Sequence, residues 1–375
     1  MLIGVPKETA PGELRAALVP ASVKKLANLG LEIAVEAGLG EHGGFSDEEY
    51  REAGATVETD RAGLLGRADM VLRIRKPDAD EVGALKKGAI QASLLDPFNE
   101  KALIGSLAGA GITAISMEMV PRSTRAQKMD VLSSQANLAG YVTVILAARQ
   151  LNKIFPMMMT PAGTISPSRV FVIGAGVAGL QAIATAKRLG ARVDAFDTRP
   201  VVAEQVQSLG AKFLQIDLGE TGQTDQGYAK ELTPEQLEIQ REGMKAAIAQ
   251  SDVVITTAQL FGRPAPQIVN ADMVAAMKPG SVIVDMAVET GGNVAGSKVG
   301  EVVDVNGVKI IGLGNLPSEV CRNASEMFSA NLFNLVDEFW DKESKTFGLD
   351  LEDEILASCV ITHGGEVVNE TIKNL

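Results

Sequence analysis

Short apolar runs recur along the chain at intervals that suit strands alternating with helices. Leu2–Val5 and Glu32–Glu36 read as strands, with a helix from a Ser22 cap to Leu29 between them. Asp47–Ala53 and Arg61–Gly66 read as short helices. Met70–Arg75 alternates apolar and basic positions as a third strand, which Lys76-Pro77 ends. Ala89–Leu94, a helix near Asn99–Ala108, and Thr113–Met119 continue the alternation, which predicts mostly parallel strands. A long helical stretch, Leu132–Lys153, follows. Beyond it strands are expected at Val170–Ile173, Lys212–Ile216, Asp252–Thr257, Ser281–Ala287 and Lys309–Ile311, with a helix at Pro234–Gln250. Leu316-Pro317-Ser318 reads as the capped start of a helix to Trp340, and Ile355–Val368 as a hairpin around His363-Gly364-Gly365.

The fold class this pattern predicts is α/β: two Rossmann-like doubly wound domains with a deep inter-domain cleft, joined by long helices. Residues 1–131 plus 316–375 would form the first domain and residues 132–315 the second.

The stretch Arg169–Asp197 carries the strongest local chemistry. An apolar strand meets Gly174-Ala175-Gly176-Val177-Ala178-Gly179, a helical pattern runs to Leu189, and a second strand ends at Asp197. Gly174 suits the tight turn, Gly176 a close backbone approach to a pyrophosphate, and Gly179 close helix–strand packing. The pyrophosphate would sit at the positive end of the helix. Asp197 would accept from a ribose 2′-hydroxyl and repel a 2′-phosphate, which points to NAD(H); the nearby Arg199 weakens that preference. The alternative is a tightly packed glycine turn without a ligand.

Bulk composition narrows the partners. The chain has 375 residues, 46% hydrophobic and 22% charged, with a net charge of −12. Two domains are the default at this length. The acidic balance and the lack of basic clusters argue against nucleic acid. The apolar run Leu138–Ala148 is broken by Gly140, Tyr141 and Thr143, so no direct membrane insertion is expected. The start at Met1-Leu2-Ile3-Gly4 reads as a strand without a signal peptide, and two cysteines suit a reducing compartment. With only His42 and His363, no metal site is expected.

Three segments depart from the α/β rhythm. Phe155–Arg169 holds three consecutive methionines, which cannot all face one core from a strand, around a Pro161-Ala162-Gly163 turn. A hairpin protruding onto a second copy fits best, and an internal hairpin is the alternative. Asp217–Thr233 is long, polar and aperiodic, as expected of a mobile lid with Tyr228 at its tip beside Gly227. In Arg122–Tyr141, Asp130 and Ser133 share a helix face and join Arg122 and Gln127. Ordinary helix capping accounts for such residues equally well; their expected position opposite the glycine loop favours a site.

The runs RAQ.MD.LSSQ.NLAGY, PMMMTPAGT, GAGVAGLQAIATAKRLGA, GYAKE and KPGSVIVDMAVETGGN resemble the NAD(H)-binding component of proton-translocating nicotinamide nucleotide transhydrogenase. The resemblance spans the chain and suits the form in which this component is a separate subunit. It implies a homodimer joined by a swapped hairpin, and hydride transfer to NADP(H) on a second soluble subunit. It also implies a membrane-spanning subunit that couples transfer to proton movement, with this chain peripheral on the cytoplasmic face of the inner membrane. Arg122 would hydrogen-bond the nicotinamide carboxamide, Asp130 and Ser133 would fix the ring, and Gln127 would reach toward the partner's nucleotide. Tyr228 would close on NAD(H). The implied cofactor set further includes Leu132, Ala175, Val177, Ala178, Thr198, Arg199, Gly227, Ala258 and Gln259.

Alanine dehydrogenase shares this fold and is the competing enzyme reading. It uses a Lys in the third strand and a His after the fourth to manage the substrate's proton. Here Arg73 and Arg75 occupy the third strand, Leu94–Phe98 contains no His, and Glu289 replaces an Asp, although the carboxylate-binding Arg15 remains. A third reading is an NAD-sensing module whose lid reports occupancy.

Overall fold

The computed structural model describes residues 1–219, 221–222 and 231–375. The chain forms two compact units, Met1–Gln135 with Ser318–Leu375, and Ala136–Pro317.

In chain order the strands of the first unit begin with β1 (Leu2–Val5), β2 (Glu32–Glu36) and β3 (Ala55–Glu58). They continue with β4 (Met70–Leu72), β5 (Ile90–Ser93) and β6 (Thr113–Ser116). The second unit supplies β7 (Met158–Thr160), β8 (Gly163–Ile165), β9 (Arg169–Ile173), β10 (Arg192–Phe196) and β11 (Lys212–Phe213). After these come β12 (Val253–Thr256), β13 (Val282–Asp285), β14 (Glu301–Val305) and β15 (Val308–Gly312). The chain returns to the first unit with β16 (Trp340–Asp341), β17 (Thr346–Phe347), β18 (Val360–His363) and β19 (Glu366–Val367).

The larger sheet of the first unit runs β19-β18-β6-β5-β4-β1-β2-β3, parallel from β6 to β3 and antiparallel where β18 meets β6. In the second unit the order is β11-β10-β9-β12-β13-β15-β14, parallel except for β14. The order reverses at β9, where the chain first builds outward to β10 and β11 and then crosses to β12. The glycine loop leaves the sheet at this switch point, where open α/β sheets place ligands.

Alternation along the second unit's strands accounts for its two cores. Val170 and Val172 of β9, Val253 and Ile255 of β12, and Val282 and Val284 of β13 pack on one face with Val144, Ala147, Ala182 and Ile183. Phe171 and Ile173, Val254 and Ile283 pack on the other with Met244, Ile248 and Met273. A sheet covered on both faces explains why these strands read as continuous apolar runs.

Several expectations are corrected. The first helix begins at Pro20, not at a Ser22 cap: proline's fixed φ suits the first helical position, and Ser22 is buried within the first turn. Ala55–Glu58 is a strand the pattern does not reveal, because its alternation is too short to stand out; Met70–Leu72 is therefore the fourth strand. It ends before Arg73 and Arg75. Lys212–Ile216 contracts to a two-residue strand. Ser318 does not cap the C-terminal helix Cys321–Phe339, which follows a 3-10 turn, Leu316–Val320; its hydroxyl instead donates to Glu13 at 3.1 Å. Ile355–Val368 opens with the helix Glu354–Cys359, capped by Asp353, so its hairpin is limited to β18 and β19.

The helix Val131–Gln150 is the one helix among the described residues long and apolar enough to cross a membrane, which the broken apolar run conceals in the sequence. Its Val144 and Ala147 are wholly buried in the second unit's core, and Thr143 is buried with its hydroxyl on the Gly140 carbonyl at 2.8 Å.

Candidate dinucleotide and nicotinamide sites

Each glycine of the loop has its own steric situation. Gly174 has φ +95°, and a Cβ there would meet Thr257 Oγ1 at 2.5 Å. At Gly179 a Cβ would fall 1.9 Å from the Gly174 carbonyl oxygen, so the helix Val177–Arg188 can lie against the turn only as glycine. Gly176 differs: its φ of −77° suits any residue, and the nearest atom to an added Cβ is Arg199 Nη2 at 3.9 Å. Nothing in the fold requires glycine there. It caps the helix without a side-chain acceptor, so the first-turn N–H groups there are not covered by a cap. Ala175 and Ala178 are buried, and Val177 is exposed.

Asp197 is buried at the tip of β10. Its Oδ2 accepts from Ala175 N–H at 2.7 Å and Arg199 Nη2 at 2.8 Å. Its Oδ1 accepts from Arg199 N–H at 2.8 Å and Nε at 2.9 Å. The hydrogen-bonded carboxylate holds the Arg199 guanidinium's pKa above its ordinary value. Arg199 is thus more than a nearby complication: it is a fork closed on the acid itself. Thr198, beside it, accepts from Thr221 Oγ1 at 2.8 Å through its carbonyl.

Sequence reasoning misses the neighbouring buttress. Asp285, fully buried at the end of β13, accepts from the backbone N–H groups of Ala287, Asn293 and Val294. Asn293, also fully buried, accepts from Ala258 N–H at 3.1 Å and donates to its carbonyl at 2.9 Å. Ala258 is thereby fixed, and Gln259 beside it is exposed. The GGN of the run KPGSVIVDMAVETGGN is the available signal, since Gly292 sits at φ +81° against that carboxylate.

In the first unit Asp130 and Ser133 come together. Asp130 Oδ1 accepts from Ser133 N–H at 2.8 Å and Oδ2 from Ser133 Oγ at 2.6 Å. This is helix capping, so the plain structural reading of these residues holds at the start of Val131–Gln150. Arg122 Nε stands 3.9 Å from Asp130 Oδ2. Gln127 is exposed, and Arg122 and Leu132 are half-buried. Gly227 and Tyr228 lie outside the described residues.

Arg15 is the residue that keeps a dehydrogenase reading open. Its Nε and Nη2 donate to the two oxygens of Glu13 at 2.7 and 2.6 Å, and Nη1 donates to Gln135 at 2.8 Å. Arg75 Nε adds a third contact to Glu13 at 2.8 Å. Burial alone would raise the Glu13 pKa, but the Arg15 and Arg75 guanidinium groups bring it down to about 2. Every guanidinium nitrogen of Arg15 is thus already donating inside the chain.

A dinucleotide-binding α/β protein is the class these features define. Residues 4–139 match the N-terminal domain of the alanine dehydrogenase/PNT family and residues 143–370 match its C-terminal domain. The chain belongs to the alanine dehydrogenase/PNT family. It is 45% identical to the first of the separate chains of NAD(P) transhydrogenase subunit alpha in Rhodospirillum rubrum, over 99% of both chains. The crystal structure of a transhydrogenase from Sinorhizobium meliloti superposes with a TM-score of 0.89 at 44% identity, covering 98% of this chain and all of that one. An L-alanine dehydrogenase structure follows at a TM-score of 0.82 and 26% identity, over 100% of this chain and 98% of that one. Within the family the chain lies with the transhydrogenase alpha subunits, and alanine dehydrogenase is a distant relative.

Proposed function

We propose that this chain is the NAD(H)-binding subunit of a proton-translocating transhydrogenase. The glycine loop of the second unit takes the pyrophosphate, and Asp197 takes the adenosine ribose. Arg122, Gln127, Asp130 and Ser133 hold the nicotinamide, and Tyr228 closes on the bound nucleotide as part of a lid over residues 217–233. Hydride passes between this nicotinamide and that of NADP(H) on a partner subunit, and a membrane-spanning subunit couples the step to proton movement. The chain sits peripherally on the cytoplasmic face of the inner membrane through that complex.

The observation that carries this reading is the contrast between Gly176 and Arg15. One is a glycine the fold does not need, as a dinucleotide loop requires. The other is a carboxylate-binding arginine whose nitrogens are already committed to Glu13 and Gln135. Ring-to-ring hydride transfer needs positioning groups and no general base, whereas amine oxidation needs both a base and a free carboxylate anchor. Separate fluorescence titrations with NADH and NADPH test the cofactor assignment. NADH should bind at least about tenfold more tightly, a difference of ~1.4 kcal/mol; equal affinities would remove Asp197 from its role.

The same proposal makes the chain a homodimer. Strands β7 and β8 are exposed along their whole length, so the hairpin packs on no internal core. Met157, Met158, Met159 and Ile165 all lie at its surface. Such an apolar projection is what a second copy would cover.

A further inference from the structure

The turn that presents Gln127 is held by a carboxylate far away in sequence. Gln127–Met129 is a three-residue 3-10 turn, too short to persist by its own hydrogen bonds. Arg125 and Lys128 flank Gln127, and both bind Glu338 of the helix Cys321–Phe339. Arg125 Nε donates to Glu338 Oε1 at 2.7 Å, and Lys128 Nζ lies 2.7 Å from Oε2. Arg125 Nη1 also donates to Asp353 at 2.5 Å, and its guanidinium lies 5.5 Å from the centre of the Phe339 ring. The Lys128 carbonyl accepts from both Asn331 and Asn334 at 2.9 Å, and Ser123 Oγ donates to Glu354 at 2.7 Å.

Stability alone gives little reason for this arrangement. Partly exposed ion pairs contribute roughly 0–1 kcal/mol each, and Ala126 and Met129 already anchor the segment by full burial. What the network adds is direction: two carboxylates, a ring and two amides fix the turn's orientation while Gln127 itself stays exposed.

We propose that Glu338 is a positioning residue for hydride transfer, acting with Arg125 and Lys128 to aim Gln127 at the transfer interface. This rests on the transhydrogenase reading above. A small misplacement of a positioning group costs rate far more than affinity, on the order of a hundredfold per ångström.

The test uses the full chain reconstituted with its NADP(H)-binding component. Glu338→Ala, and independently Arg125→Ala, should lower the transfer rate roughly tenfold or more while leaving the NADH Kd within about twofold. The primary isotope effect with 4-deuterated NADH should rise as the chemical step becomes limiting. In a Gln127→Ala background, Glu338→Ala should slow transfer no further, because it acts through Gln127. Gln127→Ala alone separates the two layers of the argument. If it leaves transfer intact, the functional reading fails and takes this inference with it. If Gln127→Ala slows transfer but Glu338→Ala and Arg125→Ala do not, only the inference is overturned. Additive losses in the double variant, or losses that track NADH affinity or thermal stability, overturn it as well.

Discussion

Asp197 and Arg199, two positions apart at the tip of β10, close on each other so completely that the acid's oxygens are shared between a guanidinium fork and the glycine loop. The residue expected to reject a 2′-phosphate therefore carries its own neutralising partner. Replacing Arg199 with Met should leave Asp197 bare and widen the NADH:NADPH affinity ratio severalfold. Asp197→Asn should weaken NADH by about 1 kcal/mol, one charge-assisted bond, and narrow the ratio. Nucleotide fluorescence titrations measure both, and a ratio that narrows in Arg199→Met would contradict this account.

The loop glycines should separate into two kinds. Gly179→Ala places a methyl 1.9 Å from a backbone oxygen and should cost ~1–3 kcal/mol of stability, visible as a lowered Tm. Gly176→Ala has room and ordinary backbone angles, so its Tm should stay near that of the wild type. It should nonetheless lose NADH affinity by about tenfold or more, since the pyrophosphate approaches there. A Gly176→Ala protein that binds NADH normally would remove the ligand from this loop.

The arrangement around the glycine loop is legible in the sequence because its parts have fixed spacings: strand, turn, helix and acid follow one another without a break from Arg169 to Asp197. Asp130 and Ser133 are legible as a helical pair for the same reason. Glu13 with Arg15, Asp285 with Asn293, and Arg125 with Glu338 are not. Their pairing is made by folding, and no local pattern marks a carboxylate that will meet backbone N–H groups or a guanidinium. The missed strand Ala55–Glu58 shows the other limit, since four residues carry too little alternation to declare a face.

Glu13 should govern part of the acid response. Its folded pKa, about 2, lies below the ordinary value of 4.5, so its contribution is present above pH 4.5 and lost as pH falls toward 2. The shift corresponds to on the order of 3 kcal/mol. Glu13→Gln should be less stable at neutral pH, and its stability should change less across this window. Wild-type and variant stability curves that run parallel from pH 4.5 to 2 would show that Glu13 is not responsible.

Met159 is the most exposed of the hairpin methionines, at 74%. Met159→Asp should shift the protein from dimer to monomer, because the charge would be buried in an apolar interface. Equilibrium sedimentation reads this directly. A wild-type protein already monomeric at micromolar concentration would refute the dimer.

The central claim is direct transfer between two nicotinamides, without a proton exchanged at the reacting carbons. The most direct measurement supplies the chain and its NADP(H)-binding component with 4-deuterated NADH and oxidised NADP⁺, then follows the label by mass spectrometry. The account predicts deuterium in the NADPH formed, with none lost to water, and no NAD-dependent oxidation of L-alanine by the chain alone. Label washed out into solvent, or alanine oxidised by the isolated chain, would contradict it.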